Sequence, residues 1–541
     1  MTLAATGCRG YAWPCKAPSS RSVTTILPDT RGAPIPEVDL ARFTLRRAKH
    51  LGDRAALVDG GTGRVLSYAE LERSVSAFAA GLAAHGFGRG DTFCLCVPNV
   101  PEFAIAFHGV VAAGGRCATA NPVYTARELG HQLADTGASM LLTTPPFLEV
   151  ARQAAAPIGC EVCVLGEAKG ATPFSALFGN PEAAPDIAID PSDTAAILYS
   201  GGTTGLPKGV LLSHRNLVAT LVFAEEVLEL TSEDVVIAAL PFFHVYGLHV
   251  ILNLSLQAGA TVVSMARFDF ERFLDLLERH RVTRAYVVPP IALALAEDPL
   301  VSGRDLSGLR HALSGAAPLG AELAEACERR LGCPVTEGFG MTEMSAITHL
   351  VPPFGEVCKP GSIGPPIPGV ECRLVDHDTG EDVGPGQRGE LWMRSAKVMQ
   401  GYLNNAEATA ATVDQDGWLR SGDIAVVDEE GWYTIVGRIK EIIKYKGFQV
   451  FPAELEMILI AHPGVADCAV IGVDDEEAGE VPKAFVVPVD DELHPESLTQ
   501  FVAEQVAPYK RIHAIEIVEE IPKSPSGRIL RRVLRERQPA A

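Results

Sequence analysis

Basic residues are in short supply in this chain. Asp and Glu number 67 against 46 Lys and Arg, a formal net charge of −21. A nucleic-acid binder replaces phosphate counterions with clustered cations, and no basic face is evident here, so that class of partner is excluded. Any nucleotide site must therefore supply its own local positive groups. Long apolar runs are also missing. The nearest, residues 247–266, is broken by Asn253, Gln257 and Gly259, so no membrane span is expected. Cysteine is present but unpatterned, with twelve residues scattered along the chain. Cys94 and Cys96 lie in an apolar strand-like run, and Cys160 and Cys163 lack a second ligand pair. They read as core thiols rather than a metal site or disulfide framework, which suits a reduced, cytoplasmic compartment.

The opening residues 1–25 contain Arg9, Lys16 and Arg21 and no acid, but Gly, Pro and two cysteines spoil an amphipathic targeting helix. A disordered extension is expected there. The final residues, Gln538, Pro539, Ala540 and Ala541, do not form a peroxisomal signal.

What is present is an α/β pattern. A chain of 541 residues exceeds one typical core, and 47% apolar content with 51 glycines fits an enzyme with many turns. Ser67 and Glu70 have capping-box spacing, and Leu71, Val75, Phe78 and Leu82 recur at helical intervals before Gly86 stops the helix. Residues 93–97 follow as a short apolar strand. Thr125 and Glu128 repeat the device, with Gly137 as the stop and residues 140–142 as the next strand. Strands and helices alternating at this pitch predict parallel sheets with crossover helices, whose ligands sit at the strand C-terminal ends.

One stretch stands at such an end. After apolar residues 195–198 come Tyr199, Ser200, Gly201, Gly202, Thr203, Thr204, Gly205, Leu206, Pro207 and Lys208, and apolar residues resume at Val210. Glycines allow close backbone approach, while N–H groups, hydroxyls and a lysine suit polyphosphate oxygens. It is not the usual nucleotide P-loop, because Gly209 rather than Ser or Thr follows Lys208. The stretch resembles the phosphate loop of the acyl-adenylate-forming enzymes, which include acyl-CoA synthetases, beetle luciferases and peptide-synthetase adenylation domains. Later motifs narrow the resemblance towards 4-coumarate–CoA ligases, and it covers residues 27–535, nearly the whole chain.

The resemblance implies a large domain of parallel and mixed sheets over residues 26–437 and a small, mobile α+β lid over residues 438–541. It implies ATP, Mg²⁺ and coenzyme A as co-substrates and cofactor, a small carboxylic acid as substrate, and a monomer or weak homodimer. Lys208 and the residues 200–205 would hold the leaving phosphates. In Glu337–Glu343, Phe339 between Gly338 and Gly340 offers an uncrowded face for adenine, where the family more often has Tyr. Thr342 would donate to the α-phosphate and Glu343 would bind Mg²⁺. Gly315, Ala316 and Ala317 would border both adenine and acyl group. His244 would gate the acyl pocket, which Val245, Tyr246, Gly315, Gly340, Ala346 and Ile347 help to shape, and Tyr246 would meet the ring substituent of a hydroxycinnamate. Asp423 has the chemistry to bind both ribose hydroxyls, with Arg438 beside it.

By the same resemblance Lys440 is the hinge, and Lys444, Lys446, Gly447 and Gln449 lie on the lid face serving the nucleotide and the CoA step. Adenylation needs cations in place and water out, whereas thioester formation needs room for the thiol, so a lid with two faces serves both. The chain departs from the family at Arg528, where lysine is usual. Arginine keeps the charge but is forked and bulkier. Three readings follow: Arg528 does the work, Lys523 replaces it, or adenylation is weak. The expected activity is a two-step ligase forming acyl-AMP and then acyl-CoA from a cinnamate-like acid. The alternatives are a medium-chain acyl-CoA synthetase, a luciferase-like oxygenase and a weakly active acyl-adenylate binder.

Overall fold

The computed structural model describes residues 32–200, 207–354, 359–446, 448–475, 478–490, 493–524 and 527–537. The expected N-terminal extension, loop residues Gly201, Gly202, Thr203, Thr204 and Gly205, and Gly447 lie outside them.

The capping boxes start the crossover helices. The Ser67 side chain accepts from the Glu70 N–H and the Glu70 carboxylate from the Ser67 N–H, opening helix Tyr68–Ala84. Thr125 and Glu128 do the same for Ala126–Thr136, which ends on Gly137 in the left-handed region. A third box, Ser213 with Asn216, starts His214–Leu228 immediately after the strand that leaves the phosphate loop. Each box satisfies helix N–H groups that otherwise have no partner, which fixes where strand becomes helix.

Among the described residues the strands form four sheets. One eight-stranded sheet runs from Gly401–Tyr402 through Lys208–Ser213 and Thr194–Ser200 to the parallel strands Arg116–Thr119, Thr92–Leu95 and Met140–Thr143. These central strands are covered on both faces, as parallel sheets require. The second eight-stranded sheet places Val235–Ala238, Arg284–Val287, His311–Ser314 and Val335–Met341 side by side in parallel, with Ala346–Leu350 antiparallel at its edge. A four-stranded antiparallel sheet carries Leu419–Val427 and Tyr433–Arg438. The fourth sheet, of five strands, begins at Ile443–Tyr445 and has its own core of Ile443, Val450, Leu455, Leu459, Val470, Val486 and Leu498. The mixed α/β class with a smaller C-terminal part agrees with the sequence reading.

The apolar run at 247–266 is divided rather than continuous. A π-helix, Tyr246–Asn253, passes into helix Leu254–Ala258 and then strand Thr261–Ser264. Gly247 opens it because a Cβ there would lie 2.0 Å from the Pro241 carbonyl oxygen. No helix among the described residues is long and apolar enough to cross a membrane. Cys94, Cys96, Cys160 and Cys163 are all buried, and burial pushes the last three thiols up to about 12.

Candidate active site

The C-terminal ends of both large sheets open onto one cavity of about 1560 Å³, floored by Ser200, Lys208, Ser314, Gly340 and Glu343. Strand pairing sets Ser200 opposite Lys208 across the phosphate hairpin. Val335–Met341 runs into a single turn, Thr342–Met344, which seats Glu343 against that hairpin. Ser200 Oγ donates to Glu343 Oε1 at 2.8 Å and the Tyr402 hydroxyl to the same oxygen at 2.9 Å. Among the described residues Glu343 Oε2 has no partner. Lys208 Nζ lies 4.7 Å from the centre of the Tyr402 ring, a cation–π contact.

This donor set fits Mg²⁺. No cluster of three or more His, Cys, Asp or Glu side chains lies among the described residues, so a protein cage for a metal is not on offer. One open carboxylate oxygen beside the hairpin expected to bind phosphate matches an ion that takes one or two carboxylates and completes its shell with phosphate and water.

The end of the cavity expected to take ribose is built from the four-stranded sheet. Asp423 is buried, its Oδ1 takes Arg438 Nε at 2.9 Å, and among the described residues its Oδ2 has no partner. Burial raises the Asp423 pKa, opposed by Arg438. An orphaned carboxylate oxygen at that depth is costly unless a donor arrives. Asp423 itself sits just beneath the lining, which here is Ser421, Gly422 and Arg438. Glu390 holds the turn, accepting from Trp392 Nε1 at 2.8 Å and from the Gly422 N–H at 3.0 Å.

Backbone strain marks the wall expected to meet the acyl group. Ala316 has φ 72°, Ser345 φ 53° and Ala346 φ 91°, values that cost non-glycine residues energy and concentrate at functional sites. A Cβ on Gly340 would lie 2.2 Å from the Ala346 carbonyl oxygen, and one on Gly315 3.1 Å from Tyr246 Cε1. The Tyr246 hydroxyl donates to the Leu313 carbonyl at 3.0 Å, so its donor faces the protein and its lone pairs remain for an incoming group. His244 Nδ1 accepts from the Tyr246 N–H at 3.3 Å, and burial pulls its pKa down to about 4, so the ring is neutral.

The closing segment reaches the same cavity. A side chain on Gly527 would meet Val288 at 3.4 Å, so Gly527 packs just past the end of strand Arg284–Val287. Arg528 lines the cavity with Nη2 3.7 Å from Glu441 Oε1. Burial, and next the neighbouring Arg438, disfavour its charge. Arg531 anchors the segment through Glu441 at 3.1 Å and a two-pronged contact of 2.6 Å with Glu456.

The structure therefore brings together Ser200, Lys208, His244, Val245, Tyr246, Gly315, Ala316, Gly338, Phe339, Gly340, Thr342, Glu343, Ala346, Ile347, Arg438, Lys440 and Arg528. Four expected residues are elsewhere. Lys444, Lys446 and Gln449 are exposed on the hairpin Ile443–Tyr445/Phe448–Val450 and do not line the cavity, because the lid turns its Arg528 face inward. Ala317 lies beyond the lining. Lys523 is tied to Asp467 at 2.6 Å on the lid, which leaves the cavity cation to Arg528. Sequence reasoning missed Tyr402, Glu390 and Glu441. Only the Gly401–Tyr402 strand had a local signal, a Gly-aromatic pair, and nothing local ties it to Lys208.

A hairpin ending in Lys208, the open carboxylate oxygen of Glu343, the half-paired Asp423 and the C-terminal arginine Arg528 surround one slot, an arrangement able to take a nucleotide and activate an acid. The chain belongs to the AMP-binding enzyme family: that family model matches residues 45–403, and the AMP-binding enzyme C-terminal domain matches residues 454–528. It is 44% identical over 504 residues to 4-coumarate–CoA ligase 5 of Oryza sativa subsp. japonica, covering 91% of this chain and 93% of the relative. It is 40% identical to 4-coumarate–CoA ligase 2 of Petroselinum crispum, covering 92% and 93%. Among solved structures, ATP-bound MatB from Rhodopseudomonas palustris superposes with a TM-score of 0.85 at 31% identity, covering 92% of this chain and 99% of that one. A benzoate CoA ligase from Burkholderia xenovorans LB400 gives 0.82 at 29% identity, covering 92% and 100%. The protein is thus an AMP-forming acid–thiol ligase that works with ATP, Mg²⁺ and CoA.

Proposed function

We propose that the acid is a 4-coumarate- or cinnamate-like aryl carboxylate. The observation that carries this is the acyl wall: Gly315, Gly340 and Ala346 offer backbone and a methyl rather than bulk, and Tyr246 keeps an acceptor beside them. That combination fits a flat ring bearing a phenolic donor better than a flexible alkyl chain. The 4-coumarate–CoA ligase relatives favour the same acid.

Two steps follow. The substrate carboxylate attacks the α-phosphorus of ATP, the α–β phosphoanhydride bond breaks, and pyrophosphate leaves. Lys208, Ser200 and the residues between them neutralise the departing phosphates, Thr342 donates to the α-phosphate, and Glu343 holds Mg²⁺, which offsets phosphate charge when bound. Asp423 and Arg438 orient the ribose, and Phe339 stacks on adenine. Arg528 supplies the lid cation between carboxylate and phosphate. His244, kept neutral by burial, walls the acyl group without drawing its carboxylate into an ion pair. Residues 438–541 then turn about Lys440, withdrawing Arg528 and presenting Lys444, Lys446 and Gln449. The CoA thiolate attacks the acyl carbonyl, a C–S bond forms, and AMP leaves with the acyl C–O electrons. The buried, unpaired thiols suit a reducing cytoplasm. One chain supplies every residue assigned to the site, so a monomer or weak homodimer suffices.

The test is pyrophosphate release with cinnamates, benzoates and medium-chain acids, with and without CoA, on wild type and Arg528→Lys. CoA-stimulated turnover of 4-coumarate by the wild type is expected, with Arg528→Lys active as well. Turnover of medium-chain acids alone overturns the aryl reading. A silent wild type beside an active Arg528→Lys shows instead that adenylation has been lost at that position.

A further inference from the structure

Lys397 is fully buried, which a lysine tolerates only with good partners. Its ammonium donates to the carbonyl of Ile347, a lining residue of the cavity. It does not reach the cavity itself. Ile347 sits where the pairing of Val335–Met341 with Ala346–Leu350 shifts register between Phe339 and Gly340. Such irregularities re-aim side chains beside active sites.

The segment around Lys397 grips residues 343–347 at three points. Ser345 Oγ donates to the Lys397 carbonyl at 2.8 Å, the Met399 N–H donates to the Glu343 carbonyl at 2.8 Å, and the ammonium takes Ile347. The grip is itself anchored, since Asn216 Nδ2 donates to the Ala396 carbonyl at 2.8 Å and Ser395 Oγ to the Gly369 carbonyl at 2.6 Å. It encloses the two consecutive left-handed residues, Ser345 and Ala346, whose conformations need holding. Behind it Cys372 Sγ meets His349 Nε2 at 3.5 Å, and the His349 ring packs edge-on against Phe339. Burial draws Lys397 down to about 7 and His349 to about 3, so the imidazole beside it is neutral.

We infer that Lys397 is a positioning residue for acid recognition: by fixing the Ile347 carbonyl from behind, it sets the wall against which the acyl group binds. This rests on the reading of Ala346 and Ile347 as acyl wall. The Lys397 ammonium touches only Ile347 within that segment, and the contacts assigned to Asp423, Arg438 and Lys208 stand on other strands, so its loss moves the acyl wall first.

The test compares binding of AMP with binding of 5′-O-(N-cinnamoyl)sulfamoyl adenosine, a non-reacting mimic of the acyl adenylate, by calorimetry. It uses the wild type, Lys397→Met, which keeps length and loses the donor, and Lys397→Gln, which keeps an N–H donor. Steady-state KM and kcat for acid and for ATP are measured alongside. The wild type is expected to prefer the acyl mimic over AMP. Lys397→Met should lose about tenfold of that preference, the scale of one hydrogen bond, with AMP affinity unchanged. Acid KM should rise by about the same factor with ATP KM unaltered, and Lys397→Gln should recover part of the loss. If Lys397→Met does not fold, Lys397→Gln carries the comparison, with a smaller fall in preference expected. Equal preference in wild type and variants, or a parallel loss of AMP and mimic binding, overturns the inference. A wild type that gains nothing from the acyl group refutes the acyl-wall reading itself, and the two failures are told apart by the wild-type row alone.

Discussion

Replacing Gly340 by alanine tests the acyl wall with the smallest addition possible. The new Cβ would stand 2.2 Å from the Ala346 carbonyl oxygen, 2.6 Å from its carbonyl carbon and 2.8 Å from Ile347 Cα. Carbon–oxygen contacts settle near about 3.3 Å, so one strand must move by roughly 1 Å. All three atoms are backbone, and no rotamer change relieves them. Ser345 and Ala346 are already left-handed, and the Met399 and Lys397 contacts hold them there, so movement spreads into the slot. Overpacking of this kind costs about 1–3 kcal/mol of stability. A misplacement of about 1 Å at a positioned substrate costs on the order of 100-fold in rate. Gly340→Ala should therefore fold, bind ATP, and lose about two orders of magnitude in kcat/KM for the acid. The assay is pyrophosphate release across acid concentrations, with nucleotide affinity measured separately. Acid kinetics within threefold of wild type would refute the placement of the acyl group against this wall.

Two further outcomes follow from single side chains. Tyr246→Phe removes the acceptor while leaving the ring, so discrimination of 4-coumarate over cinnamate should fall by about tenfold, with cinnamate turnover nearly unchanged, as competition kinetics will read. Glu337 is buried with its Oε1 taking only the Leu319 N–H at 3.3 Å, and burial raises its pKa to about 8. Because the folded value lies above the unfolded one, its favourable contribution is complete below about pH 4.5 and drains away as pH rises towards 8. At pH 7 the fold holds this carboxyl protonated while the unfolded chain ionises it, which costs the fold on the order of 3 kcal/mol. Glu337→Gln keeps the acceptor without the charge, so thermal melts should show it more stable than wild type at pH 7 and equal at pH 4.5.

Much of the site was legible because its chemistry is local. The hydroxyls and lysine flanking Gly201 to Gly205 advertise phosphate, and the glycines around Phe339 advertise an open aromatic face. The crossover architecture was equally plain, since Ser67, Glu70, Thr125 and Glu128 mark helix starts by spacing alone. Tyr402 was not legible, because its partners Lys208 and Glu343 come from a strand and a turn far from it in the chain. Lys397 reads as surface in any sequence, and only the tertiary packing buries it. Spacing also could not say which lid face is turned inward: Arg528 and Gln449 are both short motifs on one small domain, and the choice is one of rigid-body orientation.

The phenol of Tyr402 has a consequence for the enzyme between turnovers. Lys208 rests on the ring and Glu343 on the hydroxyl, and among the described residues no ion pair joins them. A lysine and a glutamate left free to meet would neutralise each other, and each round of catalysis would begin by tearing them apart. Tyr402 stands as a spacer, its ring to the lysine and its hydroxyl to the glutamate, which leaves each charge its capacity for an incoming ion.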